Sequence, residues 1–221
     1  RADLAGAEED RVDPEFTFID PHYKFAASTK MGALARSGYE YPGRQYAGYF
    51  EHAAGAETCT ECHSPHSLLI DPGSCSPCHV NVVSVDDFAD IRENEPVLDR
   101  DRFEGEGVKV EVEALLELLY GMIQDYARDV AGTPIVYADE FPYFFVDEDE
   151  DGQAGEDEVN FGNQYDAWTP RLLKAAYNYQ YGLQDPGAYA HNPGYILQLL
   201  SDSMLDLGER VPLPVDTLRR P

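Results

Sequence analysis

The sequence predicts a mainly α fold of about four helices and few short strands, with little regular structure in the segment that carries its cysteines. Three observations point there. Polar–Pro pairs and glycines frame several helices, the clearest apolar periodicity is helical, and all four cysteines fall between positions 59 and 78. The 221 residues suit one large domain or two small ones, and 43% hydrophobic residues are enough to form a core.

In chain order, residues 1–19 are polar and acidic, with Glu8, Glu9, Asp10 and Asp13, and read as a flexible or strand-exchanging arm. Asp20 as N-cap, Pro21 at the first helical position and Gly38 past the end frame a helix over 21–37. Residues 39–50, rich in Tyr and Gly, read as loop, and 84–109 as an acidic connector with room for a short strand. Leu115, Leu118, Leu119, Met122, Ile123, Tyr126 and Val130 recur at helical spacing, predicting a helix over 111–131 stopped by Gly132. Residues 135–137 and 143–146 predict a short strand pair. Thr169-Pro170 opens a third helix ended by Gly182, and Asn192-Pro193 a fourth ended by Gly208. The division is an arm at 1–19, a cysteine-bearing region at 20–109 and a helical region at 110–221, the last two able to form one continuous domain.

Sixteen Lys and Arg against 42 Asp and Glu leave a formal net charge of −26. That excludes a general nucleic-acid binder, which needs a basic face to neutralise phosphates, and disfavours anionic membrane surfaces. No run of about 18 apolar residues occurs, so no membrane span is expected. Basic redox partner proteins or a salty medium suit such a surface. Only 4 of the basic residues are Lys, a Lys-poor, acid-rich balance that resembles proteins of salt-loving organisms. The chain begins at Arg1, so processing that removed an export signal is expected, and with it a periplasmic or extracellular location.

The cysteines fall as Cys59-Thr60-Glu61-Cys62-His63 and Cys75-Ser76-Pro77-Cys78-His79. Both are C-x-x-C-H, the pattern of covalent haem c attachment. Two thiols reach the two vinyl groups on one porphyrin edge, and the next residue sets an imidazole nitrogen on the iron. Two disulfides, a four-thiolate zinc site and a redox dithiol are the competing readings. None explains a His directly after both motifs. With 6 His in the chain, chance gives that less than roughly one time in a thousand. Two covalent haems would then build the core of segment 51–82, whose short connector with Pro72-Gly73 should keep them close.

The stretch from His52 through Cys-His-Ser-Pro-His, ending at His66, to His79 resembles the doubled CxxCH module of multihaem c-type cytochromes. A looser similarity lies at Ala190-His191-Asn192-Pro193. Nitrite-reductase-like multihaem proteins carry a His-Asn-Pro segment that opens a helix and supplies a distal ligand. The C-terminal half is similar to that of a group of environmental multihaem cytochromes. The resemblance implies His63 and His79 as proximal ligands and a second His on the far side of most irons.

Two haems need four axial positions. His63 and His79 fill two, leaving His22, His52, His66 and His191 for the rest. Proximity favours His52 and His66, and its motif favours His191. The surplus suggests ligation of a haem in a neighbouring subunit, which would build a homopolymer that wires haems together, or a further haem or metal. Met31, Met122 and Met204 are weaker distal candidates, the last two reading as core.

Residues 147–158 fit D-x-D-x-D-G-x5-E, an EF-hand-like calcium loop offering Asp147, Asp149, Asp151, the Gln153 carbonyl and Glu158, with Gly152 at the sharp turn. Ala154 is smaller than the usual residue there, and the preceding segment reads as extended rather than helical. The expected role of the cation is structural. Taken together, the sequence reads as a dihaem cytochrome that carries single electrons outside the cytoplasm. The alternative is a haem peroxidase or nitrite-type reductase with one open iron.

Overall fold

The computed structural model describes residues 3–21, 25–92, 95–99, 103 and 105–221, and over these the chain is mostly helical with one two-stranded sheet. The α-helices are α1 (Ala26–Met31), α2 (Cys59–Cys62), α3 (Val108–Tyr126), α4 (Pro170–Gln184), α5 (Ala188–His191) and α6 (Pro193–Leu207). Strands β1 (Ile135–Tyr137) and β2 (Phe144–Val146) pair antiparallel, Val136 opposite Phe145. No described helix is long and apolar enough to cross a membrane.

The core lies where α3, α4 and α6 pack against one another. On α3, Val112, Leu115, Leu119, Met122, Ile123 and Tyr126 are buried at helical spacing. Burying each such leucine contributes about 2 kcal/mol. The helix runs into a π turn (Ala127–Ala131) and stops at Gly132, whose φ of +81° is open to glycine at little cost. Met122 and Met204 are core residues, 2% and 0% exposed.

Helix α4 is buried on every side from Pro170 to Gly182. Its polar residues are therefore matched by the segments that wrap it. Asn178 accepts from the Tyr39 N–H (2.7 Å) and donates to the Tyr39 carbonyl (3.0 Å). Arg171 reaches Asp10, Asp206 and Glu209, and Lys174 reaches Glu9 and Asp206. The acidic N-terminal residues thus lie against α4, where Phe18 also stacks on Trp168. The Thr169 side chain caps α4 by accepting from the Leu172 N–H, and Asn192 caps α6 by accepting from the Tyr195 N–H.

Three expectations need correction. The helix expected over 21–37 begins at Ala26 and ends at Met31, followed by a 3₁₀ turn (Gly32–Leu34). Gly32, not Gly38, ends it: at φ +54° it lies so close to the chain at 47–48 that a Cβ would fall 2.2 Å from the Ala47 oxygen. Gly182 does not stop α4, because it is a helical packing position where a Cβ would meet Leu116 at 2.8 Å. Among the described residues of 84–109 there is no strand but a 3₁₀ turn (Asp86–Asp90), with Val97, Leu98 and Phe103 buried.

Candidate functional site

The two cysteine motifs fold alike. In the first, Thr58 and Glu61 form a reciprocal capping box, the Glu61 carboxylate accepting from the Thr58 N–H at 2.7 Å. One helical turn later the His63 N–H donates to the Cys59 carbonyl at 2.7 Å. In the second, Asp71 caps the turn Pro72–Ser74, and the His79 N–H donates to the Cys75 carbonyl at 2.9 Å. Each motif is thus wound so that its histidine closes the turn begun by its first cysteine. No disulfide joins the four thiols, and among the described residues no three Cys or His ligand atoms come within 4.8 Å of one another. Burial pushes the Cys75 thiol up, with the nearby Cys62 thiol and Asp71 carboxylate adding to the shift.

Each motif histidine faces a histidine from elsewhere in the chain. The rings of His63 and His191 lie with centroids 6.2 Å apart, and those of His52 and His79 5.9 Å apart. A metal–imidazole bond of about 2 Å on each side, plus roughly 1 Å from nitrogen to ring centre, sets two axial imidazoles about 6 Å apart. Both pairs meet that spacing, so the residues fit an iron held between two imidazoles.

The surroundings orient these rings. His63 Nδ1 donates to the Leu68 carbonyl at 2.8 Å, which leaves Nε2 as the free electron-pair donor. Leu68 presents that carbonyl from a left-handed φ of +59°, a conformation that costs a leucine on the order of 1 kcal/mol. His191 Nδ1 donates to both Asp185 carboxylate oxygens, at 2.8 and 3.0 Å, again leaving Nε2 free. Asp185 is 3% exposed. Gly187 makes room for the ring, since a Cβ there would fall 2.7 Å from His191 Cε1.

His52 is presented by the segment running beside α1. The Phe50 N–H donates to the Lys30 carbonyl and Lys30 Nζ to the Phe50 carbonyl, while Asn192 Nδ2 donates to the Gly48 carbonyl at 2.8 Å. One residue, Asn192, therefore caps α6 next to His191 and ties down the irregular run leading to His52. His66 stands exposed in the turn after His63, and Met31 is 38% exposed on α1. His22 lies outside the described residues. Around the motifs Leu68, Leu69, Val80 and Val83 are each more than 70% exposed, an apolar surface suited to cover by a large apolar group.

The acidic loop holds Asp147, Asp149 and Asp151 with ligand oxygens within 4.8 Å of one another. Glu158 is not in that triad. It is buried, and its two oxygens accept from the N–H groups of Glu148 and Gly155. Gln153 donates its N–H to Asp151.

Sequence reasoning missed Asp185, Gly187 and the Leu68 carbonyl. The first had a faint signal in a carboxylate six residues before His191. The others are visible only as contacts.

The chain is similar to known proteins. It is 27% identical to C-type polyheme cytochrome OmcB of Geobacter sulfurreducens, over 85% of this chain and 27% of that protein. It is also 27% identical to C-type polyheme cytochrome OmcC of the same organism, over 85% of this chain and 26% of that protein. The likeness extends beyond the cysteine segment into the helices. The chain spans about a quarter of the length of these curated relatives. No protein-family model and no solved structure matches it.

Proposed function

We propose that the chain binds two haem c groups and serves as an electron-transfer unit outside the cytoplasm. In this reading Cys59, Cys62 and His63 hold one haem with His191 opposite, and Cys75, Cys78 and His79 hold the other with His52 opposite. The observation that carries it is the pair of neighbouring imidazoles at 6.2 and 5.9 Å, each joining a motif histidine to one from outside the two motifs. The similarity to polyhaem cytochromes supports the same reading. When bound, haem supplies reversible one-electron exchange at iron.

The residues of the chain set the conditions for that exchange. His63 and His191 are locked in orientation by the Leu68 carbonyl and the Asp185 carboxylate, so little rearrangement accompanies a change of charge. The buried Asp185 carboxylate, accepting from His191 Nδ1, would favour the oxidised, more positive state of a metal held by that imidazole. Were both histidines of each pair to hold the iron, no coordination position would be left for a substrate. The strongly acidic surface suits brief encounters with a basic redox partner.

Carbon monoxide separates this reading from that of an enzyme. The dithionite-reduced protein is expected to leave its visible spectrum unchanged under CO. A CO adduct approaching one per chain would mean an open iron and favour the peroxidase or reductase alternative.

A further inference from the structure

We propose that the loop 147–158 binds one calcium ion, held by Asp147, Asp149 and Asp151 with Glu158 alongside. The three carboxylates present oxygens within 4.8 Å of one another. Oxygens that share a calcium at 2.3–2.6 Å can be at most about 5 Å apart. A second observation points into the same space. Asp147 is only 5% exposed, and its Oδ1 is buried with no hydrogen-bond partner, whereas its Oδ2 accepts from the Gly152 N–H at 3.0 Å. A buried anionic oxygen with nothing to bind is costly unless a cation meets it.

The local charge sharpens the point. Carboxylates converge here in a segment, 147–158, that contains no Lys, Arg or His. The donors are all hard oxygens, without imidazole or thiol, which selects calcium or magnesium over zinc or copper. An irregular, turn-rich loop suits the larger, less demanding calcium, since magnesium requires near-ideal octahedral geometry.

The loop leads from β2 towards α4. Gln124 of α3 donates to the Gly152 carbonyl at 2.8 Å, and Asn163 donates to the Val146 and Glu158 carbonyls at 2.7 and 3.0 Å. A cation there would fasten the end of β2 to the approach to the Thr169 cap of α4. None of these residues belongs to the haem-binding set, so this proposal and the haem reading fail separately.

The test is calcium titration calorimetry on the complete, chelator-treated protein in excess magnesium and moderate salt. One saturable calcium per chain is expected. Asp149→Asn and Asp151→Asn, both at exposed positions, should each weaken binding at least tenfold with unchanged circular dichroism. Glu148→Gln with Glu150→Gln removes two charges from the same loop but outside the convergent Asp147, Asp149 and Asp151 group, and should weaken it less than threefold. Absence of a saturable site would overturn the proposal. So would equal weakening by the two sets, because diffuse acidic charge would then explain the binding.

Discussion

Replacing His191 with Ala is expected to turn half of the haem complement from CO-inert to CO-binding, and His52→Ala to do the same for the other half. The expectation follows from the ring pairs, because each removes the imidazole facing one motif histidine and leaves the other pair intact. The double variant should bind two CO per chain. His66→Ala should bind none, since that residue is exposed in the turn 64–69, where the Ser64 N–H donates to the Leu69 carbonyl and the Leu68 N–H to the Ser64 carbonyl. Three residues from His63, it cannot reach the far face of the metal that His63 would bind. Asp185→Asn should be milder. The neutral amide keeps a hydrogen-bond acceptor for Nδ1 but removes the buried charge, so one of the two potentials should rise by tens of millivolts. About 59 mV is tenfold in a one-electron equilibrium. CO uptake by His66→Ala matching that of His191→Ala would overturn this ligand assignment.

Arg171→Met is expected to destabilise the fold by about 3–5 kcal/mol, the usual cost of removing one partner from a buried ionic network. The Arg171 side chain is 5% exposed and bonds Asp10 at 2.7 Å, Asp206 at 2.8 Å and Glu209 at 3.0 Å. Without it, Asp206 keeps Lys174 at 3.2 Å but loses its nearest cation. For a chain of this size the melting temperature should fall by roughly 10 °C or more. The loss should depend on pH in a definite direction. Burial raises the Asp10 carboxyl, but hydrogen bonds from Arg171 and Tyr126 and the charges of Arg171 and Arg210 outweigh it and hold it below its ordinary 3.8. Its contribution is therefore complete above that value and fades as pH falls through the folded-state value. Burial pushes Asp206 up, against the pull of Lys174 and Arg171, so losing Arg171 penalises its ionised form further. Both effects make the variant weakest relative to wild type near neutrality and closer to it in acid. Urea unfolding at two pH values checks this, and a loss below about 1 kcal/mol at pH 7 would contradict the role assigned to the network.

What could be read from the sequence was mostly local chemistry. Thr169-Pro170 and Asn192-Pro193 open α4 and α6 because a side-chain oxygen and a proline need only their immediate neighbours. Gly132 stops α3 for the same local reason. Glycines misled where their role is tertiary. Gly32 ends α1 because the chain at 47–48 presses against it, and Gly182 stays inside α4 because Leu116 packs on it. The polar make-up of α4 hides its burial, since Arg171, Lys174 and Asn178 are satisfied by segments far away in sequence. At the candidate site the motif spacing was legible. That His191 faces His63 and His52 faces His79 depends on how Asn192 ties α6 to residue 48, and no spacing rule contains that.

The most direct test of the account is the intact mass of the purified protein, read together with its pyridine haemochrome spectrum. Two haems per chain that survive denaturation are predicted, with the mass of the polypeptide plus both. A colourless protein with the mass of the bare chain would contradict the account outright.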